Sequence, residues 1–246
     1  MTSSDNINSI VAKVIKEVAP YSMTPPESLD MTIRLTINSI EAGHTGVLAE
    51  FGAWKGGSSF AMLLAQRYIF GRIIKPVYIF DSFQGLPPAT EEDGPLAVKY
   101  QTDKDHPWYQ DNCKASLSSV IQVAASFGFS EDEAVIVPGW FEDSFESQKA
   151  PLNENGVCLL RIDCDFYKPV RFVLDKVAHM VVDEGAIIFD DYYFWDGCAR
   201  AVHSYLSDHD LSWRIRPIGY PELVGAWLVK RSHREDMTHG SNALHA

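Results

Sequence analysis

Acidic side chains stand at or next to the ends of four short apolar segments: Glu50, Asp81, Asp163 and the pair Asp190–Asp191. One acid in such a place carries little information, because aspartate also caps helices and begins turns. The carboxyl ends of parallel strands, however, meet along one edge of a sheet, and ligands bind there. Turns alone do not explain four acidic ends on one edge, so the pattern favours a ligand site.

Two of these segments end in a pair of carboxylates. One pair is Asp163 and Asp165, and the next strand-like segment along the chain gives Asp190 and Asp191. Four carboxylates in one small volume would repel one another and force some of them to stay protonated. A hard divalent cation removes that penalty, and an all-oxygen ligand set suits Mg²⁺. A solvated acidic patch is the alternative, but the apolar segments before both pairs favour buried strands and a magnesium site.

A glycine-rich turn follows the first segment, with the sequence Glu50-Phe-Gly-Ala-Trp-Lys-Gly-Gly-Ser58. Its glycines let the backbone turn tightly and approach a ligand closely. It lacks the G-x-G-x-x-G pattern of dinucleotide-binding proteins, which disfavours an NAD site. Asp81, just before Ser82, can accept hydrogen bonds from ribose hydroxyls, and a turn-forming role is the alternative interpretation.

Aromatic residues follow two of the later segments. Trp140 comes directly after Gly139 and could pack on an adenine ring, although packing in the core explains it equally well. Residues 192–195, Tyr-Tyr-Phe-Trp, follow the double aspartate, and consecutive aromatics at the sheet edge suggest a wall for the substrate. Core packing of about half of these rings is the alternative.

Apolar periodicity and turn residues divide the chain into helices and strands. The predicted helices are 10–19, 27–41, 58–70, 113–127, 170–182 and 199–206. The predicted strands are 46–51, 77–80, 134–137, 157–162, 186–189, 213–218 and 224–230, with the last two as a hairpin. Strands separated by helices predict an α/β fold with a doubly wound, mostly parallel seven-stranded sheet and an antiparallel edge.

No repeat or linker divides the sequence, so we expect one domain over residues 1–246. Residues 1–45, which hold the first two predicted helices, should form an N-terminal helical cap. Residues 86–112 are polar and rich in proline, and long segments of this kind are often lids; a surface loop is the alternative. The tail, residues 231–246, is expected to be disordered, although its three histidines could bind a metal.

The balance of charges limits the classes of partner. Acidic residues number 33 and basic residues 21, which gives a net charge of −12, whereas nucleic-acid binding needs clustered Lys and Arg. No apolar stretch approaches the ~20 residues of a membrane-spanning helix or has a signal-peptide pattern. The four cysteines lack metal-site spacing and predict reduced thiols. We therefore expect a cytoplasmic protein that binds a small molecule and neither nucleic acid nor membrane; a homo-oligomer is compatible with the sequence.

Taken in order, these motifs resemble the macrocin O-methyltransferase family, whose members methylate sugar hydroxyls of antibiotics and related natural products. The motifs are the turn at 50–57, then 81–87 (Asp-Ser-Phe-Gln-Gly-Leu-Pro), 163–167 (Asp-Cys-Asp-Phe-Tyr), 190–192 (Asp-Asp-Tyr) and 201–205 (Ala-Val-His-Ser-Tyr). The resemblance extends from about Tyr21 to Lys230. It implies the class I methyltransferase (Rossmann-like) fold, S-adenosylmethionine as cofactor and a glycoside acceptor. Lys55, Gln84 and Cys164 depart from the family pattern, which has Arg, Glu and Gly there.

The resemblance also implies roles for individual residues. It places S-adenosylmethionine near Glu50, Gly52 and Asp81. We expect residues of the same turns and segment ends to complete the cofactor site: Ala53, Gly57, Ser58, Ser82, Gly139, Trp140 and Asp163. Mg²⁺ is expected on Asp163, Asp190 and Asp191. The candidates to touch the acceptor come from the residues themselves: Trp108 and Tyr109 lie in the predicted lid, and Tyr192 and Trp195 lie in the aromatic run. Asp165 is the expected general base, because a continuing strand would put it on the same face as Asp163. His106 and His203 are rival bases, and Asp165 could be a fourth metal ligand instead.

Three other functions compete with sugar O-methylation. A metal-dependent methyltransferase of phenols or catechols is the nearest, because it would use the same cofactor and metal. An NAD-dependent dehydrogenase would need the dinucleotide glycine pattern and would have no use for the paired aspartates. A binding protein without catalysis could keep the glycine-rich turn but need not keep the whole acidic set.

Overall fold

A seven-stranded sheet organises the part of the chain that the structure, a computed structural model, describes: residues 4–106, 109 and 113–231. The strands are β1 (Val47–Phe51), β2 (Val77–Asp81), β3 (Ala134–Pro138), β4 (Val157–Ile162), β5 (Val181–Phe189), β6 (Arg216–Ile218) and β7 (Gly225–Val229). Their order across the sheet is β3-β2-β1-β4-β5-β7-β6. Strands β1 to β5 run parallel, and β7 is antiparallel to both β5 and β6. The predicted doubly wound sheet with its terminal hairpin is confirmed.

Helices cover both faces of this sheet. They are α1 (Ser4–Val18), α2 (Pro26–Glu41), α3 (Gly57–Phe70), α4 (Gly94–Thr102), α5 (Leu117–Ser126), α6 (Phe141–Ser144), α7 (Lys149–Asn155), α8 (Tyr167–Val177) and α9 (Asp196–Asp208). Side chains alternate between two cores along the regular parts of the strands, so Leu159 faces the core under α1, α2, α3 and α5, whereas Leu160 faces the core under α8 and α9. Within the described residues, no helix is both long and apolar enough to cross a membrane.

The predicted N-terminal cap consists of α1 and α2, which pack on each other and on α3. Helix α2 begins at Pro26, because proline suits the first turn of a helix, where its missing N–H has no partner to lose. Its inner face, with Leu29 and Ile33, is buried in the core on that side of the sheet. The cap is therefore part of one face of the sheet, and the connection between α1 and α2, residues 21–25, lies at the carboxyl ends of the strands.

Some predicted boundaries are wrong. Residues 86–112 contain α4, which begins after a capping box between Thr90 and Asp93 and carries proline in its first turn; the prolines had indicated a loop. The predicted helix 170–182 ends at Val177, and β5 begins at Val181 rather than at 186, because Glu184 and Gly185 continue an irregular strand. The short helices α6 and α7 were not predicted, since neither is long enough to show a helical period.

The strand order reverses between β1 and β4, which are neighbours although β2 and β3 separate them along the chain. In α/β sheets, this reversal opens a crevice at the carboxyl ends of the strands. Gly52 leaves β1 with a φ of 90°, and a Cβ there would overlap the carbonyl oxygen of Asp163. The chain can therefore pass between β1 and β4 only because residue 52 has no side chain.

We predict that Gly52→Ala lowers the free energy of unfolding by more than ~4 kcal/mol, a loss typical of severe clashes. Gly43→Ala is the matched control, because Gly43 has a φ of 70° and none of the described atoms lies within 4 Å of the place that a Cβ would occupy. It should cost only the strain of the left-handed backbone, roughly 1–2 kcal/mol. Urea unfolding followed by circular dichroism measures both variants, and equal losses would contradict the close approach of β1 and β4.

Candidate active site

A cavity of about 310 Å³ opens at the carboxyl ends of β1, β2, β4 and β5. Its wall is built from residues 21–25, 52–54, 81–82, 85–88, 140–142, 163–166 and 190–191. The first of these segments belongs to the N-terminal cap, so the cap closes one side of the cavity. The volume lies within the range of about 300–1,000 Å³ that is usual for small-molecule sites.

Three aspartates meet in this cavity. Asp163 follows β4, Asp190 and Asp191 follow β5, and one carboxylate oxygen of each lies within 4.8 Å of the others. The two strands end side by side, with Ile162 opposite Phe189, and this register brings the acids together. Oxygen donors this close can hold a divalent cation.

A buried guanidinium lies behind the three aspartates. Arg161 in β4 is fully buried; its Nη2 donates to Oδ2 of Asp163 at 2.9 Å and its Nη1 to Oδ1 of Asp190 at 3.0 Å. Its Nε lies 2.9 Å from Oε1 of Glu50 in β1, an ion pair without the alignment of a good hydrogen bond. Arg161 therefore ties together the ends of β1, β4 and β5.

Glu50 does not line the cavity, although we predicted it as a cofactor residue. It is fully buried, and its carboxylate accepts hydrogen bonds from the hydroxyls of Ser58 and Ser59 in addition to its ion pair with Arg161. Burial raises the pKa of Glu50, and the charge of Arg161 opposes that rise. Glu50 thus fixes the first turn of α3 beneath the glycine-rich turn and does not face a ligand in the cavity.

The aspartates repel one another in this buried position. The pKa values of Asp163 and Asp191 are raised well above the usual range, first by burial and then by neighbouring carboxylates. Burial lowers the pKa of Arg161, but the charges of Asp190 and the other carboxylates outweigh this effect and raise the pKa above the usual value. The guanidinium therefore stays charged. One guanidinium does not balance the cluster, and a cation bound at Asp163, Asp190 and Asp191 would relieve the remaining repulsion.

Asp165 lies on the cavity wall for a different reason from the one predicted. Strand β4 ends at Ile162, and a left-handed turn with a φ of 59° at Asp165, rather than strand alternation, directs this residue to the cavity. Its N–H donates to Oδ2 of Asp191 at 3.0 Å, and Nε1 of Trp195 donates to its Oδ1 at 2.9 Å. Burial, and then the charge of Asp163, raise the pKa of Asp165 to about 7.

Asp81 organises the turns on the cofactor side of the cavity. Its Oδ2 accepts hydrogen bonds from the N–H groups of Ala53 at 2.8 Å and Trp54 at 2.7 Å, and its Oδ1 accepts one from Phe83 at 2.6 Å. Trp54 and Phe83 both have positive φ angles, of 50° and 55°. The carboxylate thus holds two tight turns in place, which is a structural role beyond the ribose contact predicted.

The structure brings most of the predicted cofactor residues onto the cavity wall. Those on the wall are Gly52, Ala53, Ser58, Asp81, Ser82, Trp140 and Asp163. Gly57 and Gly139 do not line the cavity. A Cβ on Gly57 would lie 2.6 Å from the carbonyl oxygen of Tyr21, so Gly57 serves close packing of α3 against the cap.

None of the predicted acceptor residues that the structure describes lies on the cavity wall. Trp195 is 2% exposed and donates to Asp165 instead of forming a wall, because the chain turns into α9 directly after it. The Tyr192 hydroxyl forms a hydrogen bond of 2.7 Å with Nε2 of His203, and neither residue lines the cavity. Tyr109 is not on the wall either, and Trp108 lies outside the described residues.

His106, the other residue that was predicted as a rival base, stacks on Tyr100 and is also away from the cavity wall.

Several site residues were missed. Arg161 carried a usable signal, because a charged residue inside the apolar segment 157–162 must find a partner. Cys113 lines the cavity as well and was not predicted; all four cysteines are free, and burial raises the pKa of Cys113 to about 12, so its thiol stays protonated. Phe194 also lines the cavity, and it belongs to the aromatic run that was predicted as a substrate wall. Residues 21–25 gave no signal, since nothing local indicates that they fold over the strand ends.

The geometry agrees with comparisons to known proteins. The family model for macrocin O-methyltransferase (TylF) matches residues 16–227. This chain belongs to the macrocin O-methyltransferase family. Among relatives, the mycinamicin III 3''-O-methyltransferase of Micromonospora griseorubida is 30% identical over 181 residues, 71% of this chain and 66% of that protein.

Two further proteins extend the comparison. The 8-demethyl-8-(2,3-dimethoxy-alpha-L-rhamnosyl)-tetracenomycin-C 4'-O-methyltransferase of Streptomyces olivaceus is 31% identical over 173 residues, 69% of this chain and 61% of that protein. Both relatives are therefore matched over slightly less than two thirds of their own length. The solved structure of the O-methyltransferase NovP gives a TM-score of 0.74 at 24% identity and covers 86% of this chain and 82% of NovP. At that identity it shows the fold, which is the class I methyltransferase architecture.

For Asp81, we predict a loss of stability that needs no ligand. Asp81→Asn should lower the free energy of unfolding by about 1.5–3 kcal/mol, because backbone N–H donors lose a charged acceptor. Asp132→Asn, at an exposed position, should change it by less than ~0.5 kcal/mol. Urea unfolding in the absence of ligand tests both, and an unchanged stability in Asp81→Asn would show that Asp81 does not hold the turns.

Proposed function

We propose that the chain transfers the methyl group of S-adenosylmethionine to a sugar hydroxyl of a small glycoside, with a divalent cation at the acceptor. The observation that carries the proposal is the meeting of Asp163, Asp190 and Asp191 within 4.8 Å, in the same cavity as the glycine-rich turn after β1. Membership of the macrocin O-methyltransferase family supports the same chemistry. An NAD-dependent dehydrogenase would have no use for this acidic cluster.

The cofactor would lie over the ends of β1 and β2. Gly52 and Ala53 line the cavity there, and the turn that they form is held by Asp81. Trp140, after β3, lies on the same wall and offers a ring to the adenine. The sulfonium of S-adenosylmethionine is a cation, so the nearby carboxylates favour its binding in this cavity.

The donor set fits Mg²⁺. Asp163, Asp190 and Asp191 would hold the ion with carboxylate oxygens, which hard cations prefer. Cys164, which stands between Asp163 and Asp165, would not compete as a ligand, because burial raises the pKa of its thiol well above the usual value. The ion, when bound, supplies a positive charge that lowers the pKa of an acceptor hydroxyl.

Asp165 would take the proton of that hydroxyl. As the acceptor oxygen bonds to the methyl carbon, the carbon–sulfur bond breaks, its electron pair neutralises the sulfonium, and the hydroxyl proton needs a base. Trp195 occupies Oδ1 of Asp165, which leaves Oδ2 for the proton. Asp165 is on the cavity wall beside the three aspartates, whereas His106 and His203 are not on the wall.

An apolar aglycone fits the mouth of the cavity. Met23 and Phe194 line it and are 49% and 41% exposed, and Leu86 and Val224 add apolar surface. Of the described residues on the wall, only Lys168 is basic, so the wall has little to offer the phosphates of a nucleotide sugar. The named substrates of the mycinamicin and tetracenomycin relatives suggest the same class, a sugar attached to a large organic aglycone.

We also propose that residues 86–112 cover the bound acceptor. Residues 85–88 line the cavity, and Asp93 is 2% exposed, with its Oδ1 accepting a hydrogen bond of 2.6 Å from the N–H of Tyr167. Ala97 in α4 is buried in the core. The first half of the segment is therefore anchored beside α8, and part of its second half lies outside the described residues.

Location and assembly stay predictions from the sequence. A cytoplasmic enzyme with reduced thiols agrees with the four free cysteines. The net charge of −12 remains the reason to expect no nucleic-acid partner. A homo-oligomer remains a hypothesis that light scattering can decide.

We predict that methyl transfer requires the divalent cation. With radiolabelled S-adenosylmethionine and a panel of macrolide glycosides, the matching aglycones and catechols, label should pass to a glycoside. EDTA should abolish transfer, and added Mg²⁺ should restore it, because the acceptor hydroxyl depends on the ion for its acidity. Full turnover in EDTA would exclude the metal role, and transfer to catechols alone would favour the phenol-methylating alternative.

We predict that Asp165→Asn keeps the affinities for S-adenosylmethionine and Mg²⁺ while kcat falls about 10²–10⁴-fold, the usual share of general-base catalysis. The substitution preserves shape and removes basicity. Asp132→Asn, at the surface, is the matched control and should keep kcat. Calorimetry and initial rates give the two readouts; near-normal kcat would place the base elsewhere, and loss of Mg²⁺ binding would make Asp165 a ligand.

A further inference from the structure

The N-terminal cap makes direct contact with the aspartates of the site. We propose that Ser28 of α2 is a positioning residue, which with Thr24 orients Asp190 and Arg161 so that the cap helps to form the cation site. The inference rests on the proposed function, because it assumes that a divalent cation binds at Asp163, Asp190 and Asp191. The inference adds the N-terminal cap, which contributes none of the three aspartates, to the residues that form the proposed cation site.

Ser28 is the third residue of α2 and is fully buried. Its Oγ donates to Oδ1 of Asp190 at 2.5 Å, across 162 residues of sequence. The backbone groups of Ser28 are used locally, since its N–H donates to the carbonyl of Pro25 and its carbonyl accepts from the hydroxyl of Thr32. Serine hydroxyls near a helix start often cap that helix, but this one points to the carboxylate instead.

Thr24 makes the second contact between the cap and the site. Its Oγ1 accepts a hydrogen bond of 2.8 Å from Nη2 of Arg161. The same Nη2 donates to Asp163, and Nη1 donates to the oxygen of Asp190 that Ser28 also contacts. A closed ring of hydrogen bonds therefore runs from the cap to the guanidinium, to Asp190 and back to the cap.

These contacts decide which carboxylate oxygens are left for a cation. Oδ1 of Asp190 is taken by Ser28 and Arg161, and Oδ2 of Asp163 is taken by Arg161. Oδ2 of Asp191 accepts the N–H of Asp165. Among the described residues, the other oxygen of each aspartate accepts no hydrogen bond, so each of the three offers one oxygen to the ion. Removing the Ser28 hydroxyl leaves Oδ1 of Asp190 held by Arg161 alone among the described residues, so the carboxylate is less firmly oriented.

The test is a titration with Mn²⁺, a spectroscopic substitute for Mg²⁺, followed by electron paramagnetic resonance of the full chain. Ser28→Ala should weaken Mn²⁺ binding about 10-fold or more, as is usual when a partner that orients a metal ligand is lost. It should also change the zero-field splitting of the bound ion. The affinity for S-adenosylmethionine should stay within about twofold, because Ser28 does not line the cavity.

Ser39→Ala is the matched control. Ser39 is buried at 4% exposure in the same helix and is not on the cavity wall, so this variant should bind Mn²⁺ as the wild type does. Thr24→Val is a second variant at a half-buried position, which should weaken Mn²⁺ binding in the same direction even if Ser28→Ala does not fold.

Each outcome decides between the hypotheses. If Ser28→Ala folds and binds Mn²⁺ with the affinity and spectrum of the wild type, the inference is overturned and the proposed cation site still stands. If Ser28→Ala does not fold, the same result in Thr24→Val has the same consequence. An equal loss in Ser39→Ala would overturn it too, because the effect would then be general to α2. If the wild type binds no Mn²⁺, the cation part of the proposed function fails first, and the inference fails with it.

Discussion

The buried guanidinium of Arg161 is the interaction on which the rest of the site depends. Taking such a charge out of water costs several kcal/mol even after relaxation, and only well-placed carboxylates offset that cost. Glu50, Asp163 and Asp190 provide them from β1 and from the ends of β4 and β5. The sheet order β2-β1-β4-β5 is what puts these groups at one edge. Replacing a buried ion network with apolar residues often leaves the stability of a fold unchanged or increases it. The network around Arg161 is therefore better explained by its positioning of the carboxylates than by a contribution to stability.

The same network is not neutral. Four carboxyl groups act on the one guanidinium: Glu50, Asp163, Asp190 and Asp191. Asp165 adds a fifth carboxyl group, which interacts with Asp163 and Asp190. The raised pKa values of Asp163, Asp165 and Asp191 are the consequence, since burial and mutual repulsion both disfavour the charged forms. A divalent cation and a sulfonium are both positive, and both would be stabilised here. The reversal in strand order therefore creates the electrostatic condition that the proposed methyl transfer needs.

Local patterns in the sequence were enough to predict the sheet and the position of the acidic cluster. Apolar segments followed by acids are local features, and the register of β4 and β5 does bring Asp163 next to Asp190 and Asp191. Roles that depend on distant partners could not be predicted. The position of Glu50 next to the end of β1 predicts a cavity residue, but its partner in the structure is Arg161. Trp195 lies in a run of aromatic residues that predicts a substrate wall, but its indole N–H donates to Asp165. The contribution of residues 21–25 depends on how the cap folds back over the strands, which no local periodicity encodes.

The central claim is that the acidic cluster binds a divalent cation at the place where the acceptor reacts. Crystals soaked in Mn²⁺ and measured near the manganese absorption edge test this claim most directly. We expect one anomalous peak in the cavity, within ligand distance of one carboxylate oxygen each from Asp163, Asp190 and Asp191, with the guanidinium of Arg161 still bound behind them. A peak at another position, or none with Mn²⁺ and S-adenosylmethionine both present, would contradict it.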